Sequence, residues 1–574
     1  MDNLQLAEIF EDISLLLSIK GEVSYRVAAY RRVSENLRSL PTEAEVLWQQ
    51  GRLREIPGVG EAISKKIEEL LQTGKLRFFE KLTSEVPDSL LQILQVADVG
   101  PKRAALFWKE LGITTQADLE EAAREGRLSQ LPGMGTRSEA RILESIEALK
   151  RRETGRLSIS QALHTAEVLL ERLRGVSGVM NAEAAGSLRR WRETIGDIDL
   201  LVASKESAPV MDALLGFPEV KRVRGRGETK ASVELKGGLE VQVWVHPPER
   251  FGSALQYATG SQAHNVRLRE LARTQGLSLS EHGFRAEDGK EILCAEEAQV
   301  YQTLGLPWIP PELREDRGEL EAARDGRLPD LITLEQMKGD LQVHTEWSDG
   351  TSTILEMAQA ARDSGLEYLA ITDHSQGLGI ARGLSIERLR EQNKAIAEAQ
   401  RALGKTFHLL HGTEVEILAD GSLDYPDEAL AELDIVLVSL HSSLRQPRER
   451  VTARVLSALH NPHVDLLGHP SGRLIGSRDP ADLDMEKILE AAAETGVVVE
   501  INASPDRLDL NDVYARRAVE MGCLLSINTD AHQPGQLRFL KFGVAVARRG
   551  WVHAEAVINT WPFDQLQAWL EARG

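Results

Sequence analysis

The stretch GSLRRWRETIGDIDLL, residues 186–201, decides how the first half of this chain is read. Asp197 and Asp199 stand two apart in a β-favouring run. Successive side chains of a strand point to opposite faces, so both carboxylates face the same way. Two carboxylates with one projection suit a pair of Mg²⁺ ions about 4 Å apart, the arrangement that stabilises in-line attack on a phosphoryl group. Ser187 and Arg190, just upstream, offer a hydroxyl and a forked cation to triphosphate oxygens. A D-x-D pair alone is common and mostly structural. Gly-Ser, Arg-Arg and Gly-Asp-Ile-Asp within one stretch are far more specific.

Working outward, a helical pattern over 160–174 precedes the stretch, and the β-type runs DIDLLVA (197–203), ASVEL (231–235) and LEVQVWV (239–245) follow. They predict an α+β domain with a small, mostly antiparallel sheet. Residues 251–315 mix helix with short strands and end in LPWIPPELRE, and the charged stretch 316–334, with Pro329, reads as a linker. Upstream, residues 1 to about 150 show apolar residues at helical spacing, as in Leu4, Ile9, Ile13 and Leu16–Leu17. Three glycine-containing turns punctuate them: IPGVG (56–60), ADVG (97–100) and LPGMG (131–135), each leading into a helical pattern with an early basic residue, Lys65–Lys66, Lys102–Arg103 and Arg137. Such a turn leaves backbone N–H groups at a helix N-terminus, where a phosphate is favoured. One turn is an ordinary helix connection; three in one helical region point to DNA backbone binding through Gly58, Gly60, Gly100, Gly133 and Gly135. The middle copy carries Ala97 and Asp98 where the others have Pro and Gly, and reads as the weakest clamp.

From about 335 onward the pattern alternates strand and helix. The apolar runs LAITDH, IVLVSLH, VDLLGH, VVVEIN and LLSINTDAH end in polar residues, with helices at 354–364 and 385–403 between them. A parallel, barrel-like β/α fold is expected, with its chemistry at the C-terminal ends of the strands. Single histidines are usually structural. A series of His, Asp and Glu at the ends of successive strands reads as a metal cluster.

Composition agrees. A chain of 574 residues exceeds one core, and no apolar run reaches membrane-spanning length. The net charge of −20 argues against a nucleic-acid partner until its distribution is seen. Residues 1–300 hold 41 Lys and Arg against 45 Asp and Glu, and residues 301–574 hold 27 against 43. The first half therefore has room for a basic face, and Lys221, Arg222, Arg224, Arg226 and Lys230 form one basic cluster, which as a bland alternative is a solvated loop. Four histidines precede residue 340 and ten follow it. Cys294 and Cys523 are the only cysteines, as suits a reducing cytoplasm.

The 186–201 stretch resembles the nucleotidyltransferase signature of family X DNA polymerases. GETKASVEL (227–235), PPERFGSALQYATGSQAHNVRLR (247–269) and GLPWIPPELRE (305–315) are similar to the bacterial branch of that family. The resemblance implies that Ser187, Arg190 and Gly196 bind the triphosphate, that Tyr257 and Gly260 flank the sugar, that Asn265 contacts the base and Arg269 the template side. The glycine turns resemble helix-hairpin-helix motifs, and Lys66 falls where lyase members carry a Schiff-base lysine; a solvated, phosphate-contacting lysine is the alternative there. The family's third catalytic Asp is Gln242 here, and Glu240, on the same strand face, is the candidate substitute. Ala258 replaces the aromatic that usually follows the tyrosine. The altered third position implies weak polymerisation that favours Mn²⁺.

The second half resembles the PHP (polymerase and histidinol phosphatase) domain through DLQVHTEWSDG (340–350), ITDHS (371–375), HGTEVEI (411–417), SLHSS (439–443), DLLGHPSGRL (465–474), EINASPDRLDL (500–510) and NTDAH (528–532). The resemblance implies up to three ions, Zn²⁺, Mn²⁺ or Fe²⁺, held by His344, Asp349, His374, Glu414, His441, His469, Asp530 and His532, with Arg473 and Arg507 gripping substrate phosphate. Gln342 replaces the first His of D-x-H-x-H, which implies one weakened site. The expected organisation is an N-terminal helical domain with a helix-hairpin-helix (1–85), fingers with further such motifs (86–155), a nucleotidyltransferase palm (156–250), a thumb (251–315), a linker (316–334) and the PHP domain (335–574). The expected function is a cytoplasmic, monomeric repair polymerase acting on gapped or primed DNA with dNTPs, with a 3′–5′ exonuclease or related phosphoesterase and no membrane partner. The alternatives are a phosphoesterase whose polymerase half is only a DNA-binding module, and a non-catalytic DNA scaffold.

Overall fold

The computed structural model describes every residue except 2, 41–43, 97–98, 153–155, 237 and 574. The reading placed on Ala97 and Asp98, and that of the Arg137 side chain, lie outside the described residues. The chain forms two compact units, one of residues 1–153 with 476–478, the other of 154–475 with 479–574.

In the first unit, the helices Asn3–Lys20 and Ser24–Ser39 pack on each other through Leu6, Phe10, Ile13, Val33 and Leu37, all buried. On their described residues the three glycine turns share one backbone hydrogen bond. Val59 donates to the carbonyl of Ile56, Val99 to that of Val96 and Met134 to that of Leu131, each at 3.0 Å. Gly58 and Gly133 take left-handed φ of 79° and 74°, which glycine alone adopts without strain. Gly60 and Gly100 cap the helices Glu61–Thr73 and Pro101–Leu111 with nearly identical dihedrals (φ −80°, ψ 178° and φ −84°, ψ 175°). Gly100 thus caps its helix as Gly60 does.

In the second unit, strands β1 (Leu157–Ser158) and β3 (Thr194–Ile195) pair as a two-residue ribbon beside a five-stranded sheet. That sheet comprises β2 (Val179–Ala184), β4 (Asp197–Ser204), β5 (Val220–Arg226), β6 (Lys230–Leu235) and β7 (Glu240–His246), in the order β2-β4-β7-β6-β5. Only β4 and β7 run parallel. Along β4, Ile198, Leu200 and Val202 join the core that includes Ala162, Ala166 and Leu169 of helix Ile159–Arg174. The opposite face carries Asp197 and Asp199 at its open end, then Leu201 and Ala203, which helix Phe251–Thr259 covers. Strands β8 (Leu277–Ser280), β9 (Gly283–Ala286) and β10 (Glu291–Ile292) form a small antiparallel sheet.

The stretch read as a linker is instead folded. Residues Glu319–Arg324 form a helix, and Glu319, 1% exposed, accepts from His264 Nδ1 at 2.7 Å and from the N–H groups of Asp316 and Arg317. Glu319 is paired in the interior, and Leu320, Ala322 and Ala323 are buried beside it, which is why a polar composition did not leave a tether here.

The remaining strands, β11 (Gly339–Val343), β12 (Tyr368–Ile371), β13 (His408–Glu416), β14 (Ile435–Ser439), β15 (Leu466–Leu467), β16 (Val498–Asn502) and β17 (Leu525–Asn528), are all parallel and in sequence order. A bridge between Val343 and Ala531 brings the last strand back to the first, so the sheet is a nearly closed seven-stranded barrel. Helices Ile354–Asp363 and Ile386–Leu403 lie where the sequence pattern placed them. Among the described residues, no helix is long and apolar enough to cross a membrane.

Candidate active sites in the palm and the barrel

The parallel pairing of β4 and β7 places Asp197 opposite Glu240 and Asp199 opposite Gln242. All four side chains share one face because both strands alternate in phase. Gln242 Nε2 donates to Asp197 Oδ2 at 3.1 Å, and Ser232 Oγ donates to Glu240 Oε1 at 2.7 Å. Burial, then Asp197, pushes the Asp199 carboxyl up to about 7, with Lys230 and Arg190 opposing. A third acid beside this pair is thus present, but as Glu240, not at position 242. Gly186, with φ 60°, lies under Asp199: a Cβ there would stand 2.2 Å from Oδ2. The glycine of the Gly-Ser pair is required by the carboxylate above it.

Ser187 lies in the short helix Gly186–Arg189. Arg190 donates to the Thr259 carbonyl and pairs with Glu315 Oε1 at 3.1 Å, so the cation rests beside Gly260, whose φ is 70°. Gly196 packs against Arg156. Tyr257 tilts against Trp244, 6.3 Å between ring centroids, with Ala258 in the same apolar group. Asn265, expected at the base, donates to the Tyr257 carbonyl at 2.7 Å and accepts from Gln256 at 2.8 Å; here its amide fixes the tyrosine backbone. Arg269 is half-buried on the same helix. In the first unit, Lys66 is half-buried, 5.0 Å from the Phe78 ring, and burial with Arg26 lowers its pKa.

The barrel gathers all eight expected donors. His344 follows β11, His374 follows β12, Glu414 lies within β13, His441 follows β14, His469 follows β15, and Asp530 and His532 follow β17. Three groups have ligand atoms within 4.8 Å of one another: His344, Asp349, His374 and His532; His374, Glu414 and His441; His344, Glu414 and Asp530. Glu414, 1% exposed, stands at the centre, 2.8 Å from His469 Nε2, 3.1 Å from His374 Nδ1 and 3.3 Å from both His441 Nε2 and His344 Nε2. Close as they are, neither Glu414 oxygen nor either ring nitrogen of His344 and His469 is in hydrogen-bonding geometry. Buried polar atoms left so are costly. Imidazole nitrogens and carboxylate oxygens that converge without hydrogen-bonding one another are the donor set of a divalent metal site. The residues fit the metal centre.

Supporting bonds orient the donors. Glu416, two residues after Glu414 on the same strand face, accepts from His441 Nδ1 at 2.9 Å and from the N–H groups of His441 and Ser442. That fixes the tautomer and leaves Nε2 facing the cluster. His532 Nδ1 likewise donates to the Asp530 carbonyl at 2.8 Å. Asp373 accepts from the backbone and hydroxyl of both Thr345 and Ser348, holding the loop between His344 and Asp349. His469 (φ 23°) and Asp530 (φ 55°) both occupy left-handed backbone, a strain that surrounding structure must hold in place. Burial lowers the His441 and His532 rings, but Glu414 in the first and Asp349 in the second push each up to about 9. Gln342 is fully buried, and among the described residues neither its Oε1 nor its Nε2 has a hydrogen-bond partner.

Arg507 faces this cluster, its Nε 3.4 Å from Asp530 Oδ2 and its Nη1 buried without a partner. Arg473 does not, and its expected role is corrected. Its guanidinium is spent on the carbonyls of Arg507 (2.8 Å) and Leu508 and on Glu193 of the palm (2.5 Å). The sequence reading also missed Glu416 and Asp373. Glu416 was within reach, since HGTEVEI alternates two acids on one strand face.

A carboxylate-bearing nucleotidyltransferase sheet followed by a metal-donor barrel defines a two-site phosphoryl-chemistry protein. Comparison with known proteins narrows this. Residues 1–76 match a helix-hairpin-helix domain, 89–148 a SAM-like helix-hairpin-helix tandem, 254–315 the DNA polymerase beta thumb and 340–504 the PHP domain. The chain is 38% identical over its full length, and that of its relative, to the DNA polymerase/3′-5′ exonuclease PolX of Bacillus subtilis. It is 25% identical to DNA polymerase lambda of Rattus norvegicus over 54% of this chain and 56% of that one. A probable phosphatase of Thermoanaerobacter is 31% identical over 38% of this chain and 89% of its own. The chain belongs to the family X DNA polymerases that carry a C-terminal PHP domain.

Proposed function

We propose that this chain is a DNA repair polymerase that fills short gaps by metal-dependent nucleotidyl transfer, with a 3′–5′ exonuclease or phosphoesterase in its barrel. The observation that carries this reading is the presence, in one folded unit, of Asp197, Asp199 and Glu240 on one sheet face and of three overlapping donor groups around Glu414. The two activities in the name of its Bacillus relative, polymerase and 3′-5′ exonuclease, each have a physical counterpart here.

In the palm (156–250), Asp197, Asp199 and Glu240 hold Mg²⁺ or Mn²⁺, and Ser187, Arg190 and Gly196 hold the triphosphate. In the thumb (251–315), Tyr257 and Gly260 flank the sugar, and Asn265 and Arg269 lie toward base and template. Gln242 has no basic atom for the primer hydroxyl's proton. The helical domains (1–85 and 86–155) bind DNA phosphates through the turns at Gly58, Gly60, Gly100, Gly133 and Gly135, and Lys66 is the candidate lyase nucleophile. In the barrel domain (335–574), His344, Asp349, His374, Glu414, His441, His469, Asp530 and His532 hold up to three Zn²⁺, Mn²⁺ or Fe²⁺ ions, and Arg507 grips the phosphate. Divalent ions at these sites supply charge for phosphoryl oxygens and, in the barrel, a water of lowered pKa. The chain acts as a cytoplasmic monomer.

Primer extension and 3′ degradation on a one-nucleotide gapped duplex test the reading. Asp197→Ala is expected to abolish addition alone and His374→Ala degradation alone; borohydride trapping on an abasic 5′ end, lost in Lys66→Ala, reads the lyase role. Degradation without addition under Mg²⁺ or Mn²⁺ would instead reduce the polymerase half to a DNA-binding module.

A further inference from the structure

The turn that carries Arg507 is held from outside the barrel. Arg507 and Leu508 both donate their N–H to the Ser504 carbonyl, and Leu508 sits in left-handed backbone at φ 47°, a conformation a leucine does not favour. Arg473 clamps this turn through the carbonyls of Arg507 and Leu508, and Arg473 is itself held by both oxygens of Glu193, at 2.5 and 3.2 Å. Glu193 lies in the palm, between the triphosphate candidates Arg190 and Gly196. Its position is firm: its carbonyl accepts from Ile159 at 3.1 Å, the nearby carbonyl of Arg190 accepts from Arg549 of the barrel domain at 2.6 Å, and Trp191 packs edge-on to Phe542, 6.1 Å between centroids. The Arg473 side chain is 15% exposed, that of Glu193 31% and that of Arg549 2%, so the cations of these contacts are the better sheltered partners.

We propose that Glu193 and Arg473 are positioning residues for the barrel site: a palm carboxylate, acting through Arg473, holds the 504–508 turn so that the Arg507 guanidinium faces the donor cluster. This rests on the reading of Arg507 as the phosphate-gripping cation. A planar guanidinium bonded bidentately to a carboxylate and to two carbonyls is a geometric clamp that a lysine cannot reproduce. Losing the carboxylate releases Arg473 toward solvent and the turn with it. Partners one step removed from a metal site typically change activity 10–100-fold when removed, and the same scale is taken here for Arg507 beside the donor cluster.

The test is a double-mutant cycle in the full chain, with Glu193→Gln, Arg507→Ala and both together. Two quantities are read: kcat for release of 3′ nucleotides from an oligonucleotide, and affinity for inorganic phosphate by calorimetry. Glu193→Gln is expected to lower both roughly tenfold in the wild-type background and neither in the Arg507→Ala background, because its effect passes through Arg507. Arg473→Lys is expected to behave as Glu193→Gln does. An undiminished Glu193→Gln protein overturns the proposal, as does a loss that persists in full without Arg507, which would mark a merely structural contact. If the wild type releases no nucleotide, the phosphoesterase reading falls, and the phosphate-affinity cycle still decides whether Glu193 acts through Arg507.

Discussion

At the scale of single residues, two glutamines stand where acid or imidazole would be expected, and each meets a different environment. Gln242 is engaged, donating to Asp197, and its neighbour Glu240 occupies the register position opposite that aspartate. The palm therefore keeps three carboxylates but has moved one by two residues along its strand. Gln242→Asp restores a proton acceptor at the usual place. It is expected to raise Mg²⁺-dependent extension by at least about tenfold, within the reach of general-base catalysis, and to narrow the preference for Mn²⁺. Unchanged steady-state extension would show that Glu240 already serves fully. Most of this was legible in sequence, because a carboxylate's projection follows from strand alternation alone. The engagement of Asn265 with the Tyr257 carbonyl was not, since an amide on a helix carries no sign of which neighbour it will meet.

At the scale of elements, the palm and thumb are joined by charge as well as by apolar packing. Glu297, at the start of the helix Glu297–Thr303, takes both nitrogens of Arg189 at 2.7 and 3.0 Å, Arg314 at 2.6 Å and the Trp308 indole at 2.8 Å. Arg314 is wholly buried. Burial alone would raise the Glu297 carboxyl, but Arg314 and Arg189 hold it well below the usual range. A depressed folded pKa means stabilisation that is fully present above the unfolded pKa of about 4.3 and is lost as pH falls below it. Glu297→Gln leaves a buried guanidinium short of its counter-charge and is expected to cost about 3 kcal/mol at pH 7. Denaturant melts of both proteins should show this gap shrinking in acid. A gap that is constant between pH 7 and 3, or absent, would contradict the account. None of this pairing was visible in sequence: Arg189 and Glu297 are 108 residues apart. The strand ends of the barrel, by contrast, were legible because four of the apolar runs stop at donors, His374, His441, His469 and the Asp530–His532 pair, and a parallel barrel delivers those stops to one rim.

At the scale of the molecule, palm, thumb and barrel share one folded unit with the helical stretch between them, and the contacts among these parts are ionic as well as apolar. Arg549 bridges Glu315 and Asp512, Arg317 joins Asp512, and Arg473 reaches Glu193. The order of domains was legible from motifs, since each motif is local. The interface was not, because it joins residues up to 359 positions apart. It also explains why Arg473, in a stretch rich in site residues, serves as a contact and not as a phosphate ligand. The central claim remains that the barrel is a metal centre built around Glu414, which belongs to two of its three donor groups. Metal content of the purified chain after equilibrium dialysis against Mn²⁺ or Zn²⁺ tests it most directly. More than one ion per wild-type chain is expected, with Glu414→Gln losing more than Asp349→Asn, which touches one group only. Metal that never reaches stoichiometry in the wild type, or a Glu414→Gln protein that binds as many ions as the wild type, would contradict the account.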